Sequence, residues 1–135
     1  MINLFDVADQ NGISIFYTDI PRCSSMSIDQ HICMDVSYIF DCQEANVHLA
    51  HELGHCMTGS FYNRCSPFDI RRKHENRADK WAIKQLVPLD ELKKAFSNGV
   101  IQIWELAEYF DVTEDFIKKA LDFYQAESRA ARAVH

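Results

Sequence analysis

The sequence predicts an α+β fold, with a small three-stranded sheet, one long helix after it and a C-terminal part that is helical throughout. Three observations predict it. Short apolar runs of strand character fall between residues 13 and 40, a helix-start signature opens at Asp41, and from about residue 70 apolar residues recur at helical spacing without further strand signals.

Leu4, Val7 and Ala8 share a helical face and Asn11-Gly12 stops the chain after them, giving a short first helix. Ile13-Ser14-Ile15-Phe16-Tyr17 then has the composition of a buried strand. After a polar turn, Ile28, Gln30, Ile32 and Met34 alternate with Asp29, His31, Cys33 and Asp35, the period-two pattern of a second strand, and Ser37-Tyr38-Ile39-Phe40 supplies a third. Asp41-Cys42-Gln43-Glu44 has the form of a capping box, with Asp41 as N-cap, so a helix should run from about Cys42 to about Met57. Gly54 inside it costs about 1 kcal/mol relative to alanine, which a close packing partner would explain. Residues 59–69, with Gly59, Asn63, Ser66 and Pro67, form a connecting loop. A second long helix follows from about Ile70 to Leu86, where Pro88 pushes Val87 out of helical geometry, and its positions 75, 78, 79, 82 and 86 make one stripe. Asp90 to Phe96 forms a shorter helix closed by Asn98-Gly99. Ile103 to Phe110 and Glu114 to about Arg129 form a helical pair around Asp111-Val112-Thr113, with Thr113 capping the last helix.

The chain has 135 residues, 47% hydrophobic and 25% charged, which suits one domain with one core: residues 1–100 as its main body and 101–135 as a helical pair packed on it. Neither a signal-peptide pattern nor a membrane-length apolar run is present, so a soluble cytoplasmic protein is expected, without a membrane partner and as a monomer. The five cysteines (Cys23, Cys33, Cys42, Cys56 and Cys65) include no CxxC pair, and their odd number fits reduced thiols. The net charge of −6 is uneven: residues 1–62 sum to −7, 63–94 to +4 and 101–127 to −5. The C-terminal pair has the outline of a helix-turn-helix, but its second helix opens with Glu114-Asp115, whereas phosphate binding needs clustered Lys and Arg. No nucleic-acid partner is expected; a structural bundle or a protein-docking surface fits the charge better. The basic stretch over 63–94 is equally a solvated helix face or a flank for an acidic substrate segment.

His51-Glu52-Leu53-Gly54-His55 carries the chemistry. On a helix, HExxH aims two imidazoles at one metal ion and leaves Glu52 free to handle a proton, as zinc-dependent hydrolysis requires. A catalytic zinc site takes three protein ligands, and Glu75, opening the stripe Glu75-Ala78-Asp79-Ala82, is the candidate for the third. Asp79, four residues on, would accept the other ring proton of a histidine ligand. One Zn2+ per chain is therefore expected on His51, His55 and Glu75, with Glu52 as general base and acid. Taken alone, Glu75 and Asp79 would be a solvated face bridged to Arg71, Arg72 or Lys80; HELGH tips the reading to metal. Cys56 points about 100° away from His55 and serves packing rather than ligation. For the oxyanion, Tyr62, His74, Arg71 and Arg72 remain open. His74 suits surface or packing as well; His48 lies on the ligand face as a lining or packed histidine, and His31 is placed to line a substrate cleft.

HELGH, followed by Glu75-Asn76-Arg77-Ala78-Asp79-Lys80-Trp81-Ala82 and closed by Leu86-Val87-Pro88, resembles the ImmA/IrrE family of small metallopeptidases, whose second motif runs roughly E-x-x-A-[ND]-x-[FW]-A before a leucine-rich end and a proline. The interval from His55 to Glu75, with an acid four residues later, is similar to that of thermolysin-like zincins. The match is specific over 51–88, and Ile101 to Tyr124 resembles the family's helical C-terminus in layout. Many members carry a second acid where this chain has Arg77. The resemblance implies a compact minimal zincin fold, with the small three-stranded sheet packed on the HExxH helix and its edge strand holding an extended substrate, and an endopeptidase that cleaves or inactivates a repressor of a mobile element or stress regulon, so the implied partner is a helix-turn-helix repressor. A second class stays open: a non-hydrolytic zinc-containing module that inactivates a regulator by binding, or a toxin–antitoxin component. The intact Glu52 favours the enzyme, since a purely structural metal has no need of a free carboxylate beside its ligand. A chance HELGH on an ordinary helix is the third possibility, which metal analysis would test.

Overall fold

A computed structural model describes residues 2–20, 25–35, 37, 39, 41–62 and 65–134. The chain runs α1 (Leu4–Gln10), β1 (Ser14–Tyr17), β2 (Ser25–Ile28), β3 (His31–Met34), α2 (Cys42–Thr58), α3 (Phe68–Leu86), α4 (Leu89–Ser97), α5 (Ile103–Phe110) and α6 (Glu114–Val134). It is the expected α+β arrangement of three strands and a helical C-terminal part. The caps fall where their chemistry predicts. Asp41 accepts from the Glu44 amide at 2.7 Å and Thr113 Oγ1 from the Phe116 amide at 3.2 Å, each relieving an orphan N–H of a first turn.

The strands are composed differently from the sequence expectation. The run from Ile28 to Met34 is not one strand: it breaks at Asp29-Gln30, and Asp29 sits at φ 53°, a left-handed conformation that Asp tolerates better than most residues. The period-two pattern hides this turn because Ile28 looks like the first member of the Ile32–Met34 row. Its register instead pairs it with His31, on the outer face, where it is 62% exposed. The strand expected over 37–40 does not form at Ser37 or Ile39; residues 38 and 40 lie outside the described residues. Asp35 ends β3 instead: its buried carboxylate accepts from the amides of Ile20 and Ser37, a turn-forming pattern that draws the chain off the sheet.

The sheet order is β1-β3-β2, with β1 parallel and β2 antiparallel to β3, so β2 is a terminal strand. Ser14 N–H donates to Gln30 O and Thr18 N–H to Met34 O; even-numbered residues of β3 therefore turn their main chain toward β1 and odd-numbered ones toward β2. Ile28 and Met26, the partners of His31 and Cys33, thus pair inward. Ser25 and Ser27 turn their N–H and C=O groups to the open edge.

Ile32 and Met34 on the inner face meet Leu49, Ala50 and Leu53 of α2 in a core that continues through Ala82, Ile83 and Val87 to Leu106, Phe116 and Ile117. The C-terminal pair is tied down at two further points, by Asn46 Nδ2 donating to Asp111 and by the Tyr124 hydroxyl donating to Val87 O. Cys33, Cys42 and Cys56 are free thiols, and no helix among the described residues is long and apolar enough to cross a membrane.

Candidate metal centre

Helix α2 carries His51 and His55 one turn apart, and α3 lies against it so closely that Gly54 has no room for a side chain: an added Cβ would fall 2.5 Å from Ala78 O. This contact sits between the two histidines of one helix and the Glu75/Asp79 pair of the other. The four side chains consequently converge. His51 Nε2 lies 2.7 Å from Glu75 Oε2, His55 Nε2 lies 3.3 Å from Glu75 Oε1, and the two Nε2 atoms are 3.2 Å apart. His51, His55 and Glu75 offer ligand atoms all within 4.8 Å of one another.

The outer ring nitrogens show why these donors suit a cation. Gly59, left-handed at φ 65°, ends α2 and folds the chain back, so that the carbonyl of the buried Ser60 meets His55 Nδ1 at 2.6 Å. A carbonyl only accepts, so the proton is on Nδ1 and a neutral ring presents a bare lone pair at Nε2. His51 repeats this, its Nδ1 donating to Asp79 Oδ1 at 2.7 Å. Two lone pairs and a carboxylate thus face one point, an arrangement that only a proton or a metal ion can satisfy, and nitrogen–nitrogen–carboxylate is a divalent-metal donor set.

The titration behaviour has the same origin. Burial would push the His51 imidazolium down, but the Asp79 and Glu75 carboxylates prevail and raise it to about 10. His55 is also raised: burial opposes, while Glu75 and the Ser60 carbonyl prevail. Hydrogen bonds from His51 and then His55 hold Glu75 far below the usual carboxylate range, against burial. For Asp79, burial is again overcome, by His51 and Lys119, and its pKa is lowered.

Glu52 is 6% exposed and stands beside the donors rather than among them. It shares a cleft of about 230 Å3 with His55, Glu75, Phe61 and Tyr62, walled on the far side by Ser25, Met26 and Ser27 of the β2 edge. Ser25 Oγ donates to Glu52 Oε1 at 3.1 Å and lies 3.4 Å from His48 Nδ1. His48 is therefore a lining histidine outside the donor group.

Of the oxyanion candidates, the structure brings Tyr62 into the cleft, where its hydroxyl donates to Glu75 Oε1 at 2.6 Å; that bond, with burial, raises its pKa to about 12. His74 stacks behind Tyr62 at 6.2 Å between ring centroids, and its Nδ1 has no hydrogen-bond partner among the described residues. The Arg71 guanidinium lies over Phe68, and Arg72 is exposed. His31 does not line the cleft: the register puts it on the outer sheet face, against Phe16. Cys56 faces away from the donors, its thiol donating to Asp29 O, and burial, with Glu52 and Asp29 nearby, pushes its pKa up to about 11. Sequence reasoning missed Ser25, the Ser60 carbonyl and Lys119, whose ammonium donates to Asp79 Oδ2 at 3.2 Å.

No curated protein matches the chain. The family model of the IrrE N-terminal-like domain, a peptidase family, matches residues 8–122, a span that holds the whole donor group, Glu52, the β2 edge and Lys119. Both motif helices and the sheet lie within that match, and the chain belongs to the IrrE N-terminal-like family of peptidases.

Proposed function

We propose that the protein is a zinc endopeptidase that hydrolyses a peptide bond in one specific protein, a helix-turn-helix repressor of a mobile element or stress regulon. The observation that carries this reading is the placement of Glu52, a buried carboxylate that is not a donor yet opens on the same cleft as His55 and Glu75. A structural metal site has no use for it.

His51, His55 and Glu75 would hold the ion, which supplies Lewis acidity: it makes water a nucleophile near neutral pH and polarises a carbonyl. The chain does the rest. Ser25 Oγ steadies the Glu52 carboxylate through Oε1, and that carboxylate would take the proton of the attacking water and return it to the leaving amine. The outward main chain of Ser25 and Ser27 pairs with an extended substrate, a mode in which backbone bonds give affinity and alternate pockets give selectivity. Tyr62, across the cleft, is the donor best placed for the developing oxyanion. The substrate is a protein rather than a nucleic acid or membrane, and one cytoplasmic chain suffices, because all of these groups come from it.

Zinc-loaded wild type and Glu52→Gln, incubated with a helix-turn-helix repressor encoded beside the gene and followed by intact mass, test this. Cleavage by the wild type alone is expected. Tight binding by both without cleavage would replace the enzyme by a regulator-binding zinc module.

A further inference from the structure

Asp79 is held from two sides. Its Oδ1 accepts from His51 Nδ1 at 2.7 Å, and its Oδ2 accepts from the Lys119 ammonium at 3.2 Å, a residue forty positions away on α6. Lys119 does not get there by a loose reach across the surface, because α6 is anchored on either side of it by Phe116, Ile117 and Ala120, which are 0–3% exposed. Together Lys119 and Phe116 close a cavity of about 360 Å3 against Val47 and His48 on the α6 side of His51 and Glu75. A carboxylate bonded at one oxygen can swing about its terminal torsion, whereas one bonded at both is fixed in plane and direction.

Resting on the assignment of His51, His55 and Glu75 as ligands, we propose that Lys119 is a positioning residue of the metal centre: it pins Asp79, Asp79 fixes the His51 ring, and α6 thereby becomes part of the site. An ammonium near a divalent ion also repels it, so the two effects predict opposite signs. Without the pin the metal is held more weakly; without a repelling charge it is held more tightly. Pinning prevails. The Lys119 side chain is 52% exposed and its field is screened by water and salt, whereas Asp79, at 23%, directs the ring at short range.

The test uses the full chain, with zinc as the probe, in Lys119→Met, which keeps the stem, and Lys119→Arg, which keeps a donor. Chelator competition should show zinc held about 10-fold more weakly by Lys119→Met, the low end of what outer hydrogen-bond partners contribute. Lys119→Arg should stay near wild type. In the zinc-loaded proteins, the proton-NMR resonance of His51 Nδ1–H should broaden by exchange with water in Lys119→Met alone. A urea midpoint of metal-free Lys119→Met equal to wild type would support a local effect; one lowered in step with zinc affinity would overturn it in favour of general destabilisation. Unchanged or tighter zinc binding in Lys119→Met, or equal loss in Lys119→Arg, would overturn the proposal alone. A wild type that binds no zinc would overturn the ligand assignment as well, which separates the two failures.

Discussion

Replacing Gly54 with alanine probes how closely the two helices that carry His51, His55, Glu75 and Asp79 must lie. The added Cβ would fall 2.5 Å from Ala78 O, 2.9 Å from Ala78 Cα and 3.0 Å from Ala78 C, all backbone atoms that no rotamer change can move. Ordinary contact begins at 3.4 Å, so α2 and α3 would have to part by about 0.9 Å. Helix propensity alone favours alanine by about 1 kcal/mol. Overpacking costs about 1–3 kcal/mol, and a backbone obstruction belongs at the upper end, leaving the variant about 2 kcal/mol less stable. With a urea slope of about 2 kcal/mol/M, the midpoint of the metal-free protein should fall by about 1 M. The same separation acts on the 2.7 Å bonds from His51 to Glu75 and Asp79, stretching them beyond hydrogen-bond range. Zinc affinity, read by chelator competition, should therefore drop about 10- to 100-fold. A variant at least as stable as the wild type, with zinc affinity unchanged, would refute the close approach of the helices at Gly54.

Glu52→Gln should keep zinc and the urea midpoint while turnover falls about 10²- to 10⁴-fold, the usual loss for a general base; single-turnover rates with a confirmed substrate decide it. Tyr62→Phe should lower kcat by about 10² with zinc affinity nearly unchanged, and a change in KM alone would remove Tyr62 from the oxyanion role. In the metal-free protein His51 keeps its proton up to about pH 10, so zinc binding at pH 7 should expel about one proton and apparent affinity should rise with pH until about 10; calorimetry in buffers of different ionisation enthalpy counts it. Because the folded pKa of His51 is raised above 6.5, its contribution to metal-free stability is complete below pH 6.5 and disappears as pH rises through about 10, which urea midpoints across that window would show.

What the sequence made legible was local or helical. HELGH announces itself because i, i+4 spacing on a helix is a geometry, and Asp41 and Thr113 because a cap is read within three residues. Glu75 and Asp79 were legible as a pair for the same reason. Gly54 pointed to a close contact through its propensity cost, although only the fold names Ala78 as the neighbour. The illegible parts depend on strand order or on the main chain. Ser25 matters because the order β1-β3-β2 leaves its strand at an edge above Glu52, and nothing beside it in sequence says so. The Ser60 carbonyl that orients His55 is a backbone atom, which any residue would carry. The turn at Asp29-Gln30 was masked by an apolar alternation that continues across it, so Ile28 looked inward when it is on the outer face.

Charge ties the fold to its chemistry. Glu52, Glu75 and Asp79 are gathered in or beside one half-buried centre, and both imidazoles are set by their outer partners to present lone pairs to it. Burying three carboxylates at such close quarters is unfavourable unless positive charge accompanies them. In the metal-free chain the counter-charge comes from Lys119 and a retained proton on the histidine pair, which is why His51 holds its proton so firmly. His51, His55 and Glu75 would hold a divalent ion in place of that proton, and its two charges with that of Lys119 would balance the three carboxylates. Proton transfer from a water to Glu52 would leave that total unchanged, moving one negative charge from the carboxylate to the attacking oxygen, so the step would need no further counter-charge.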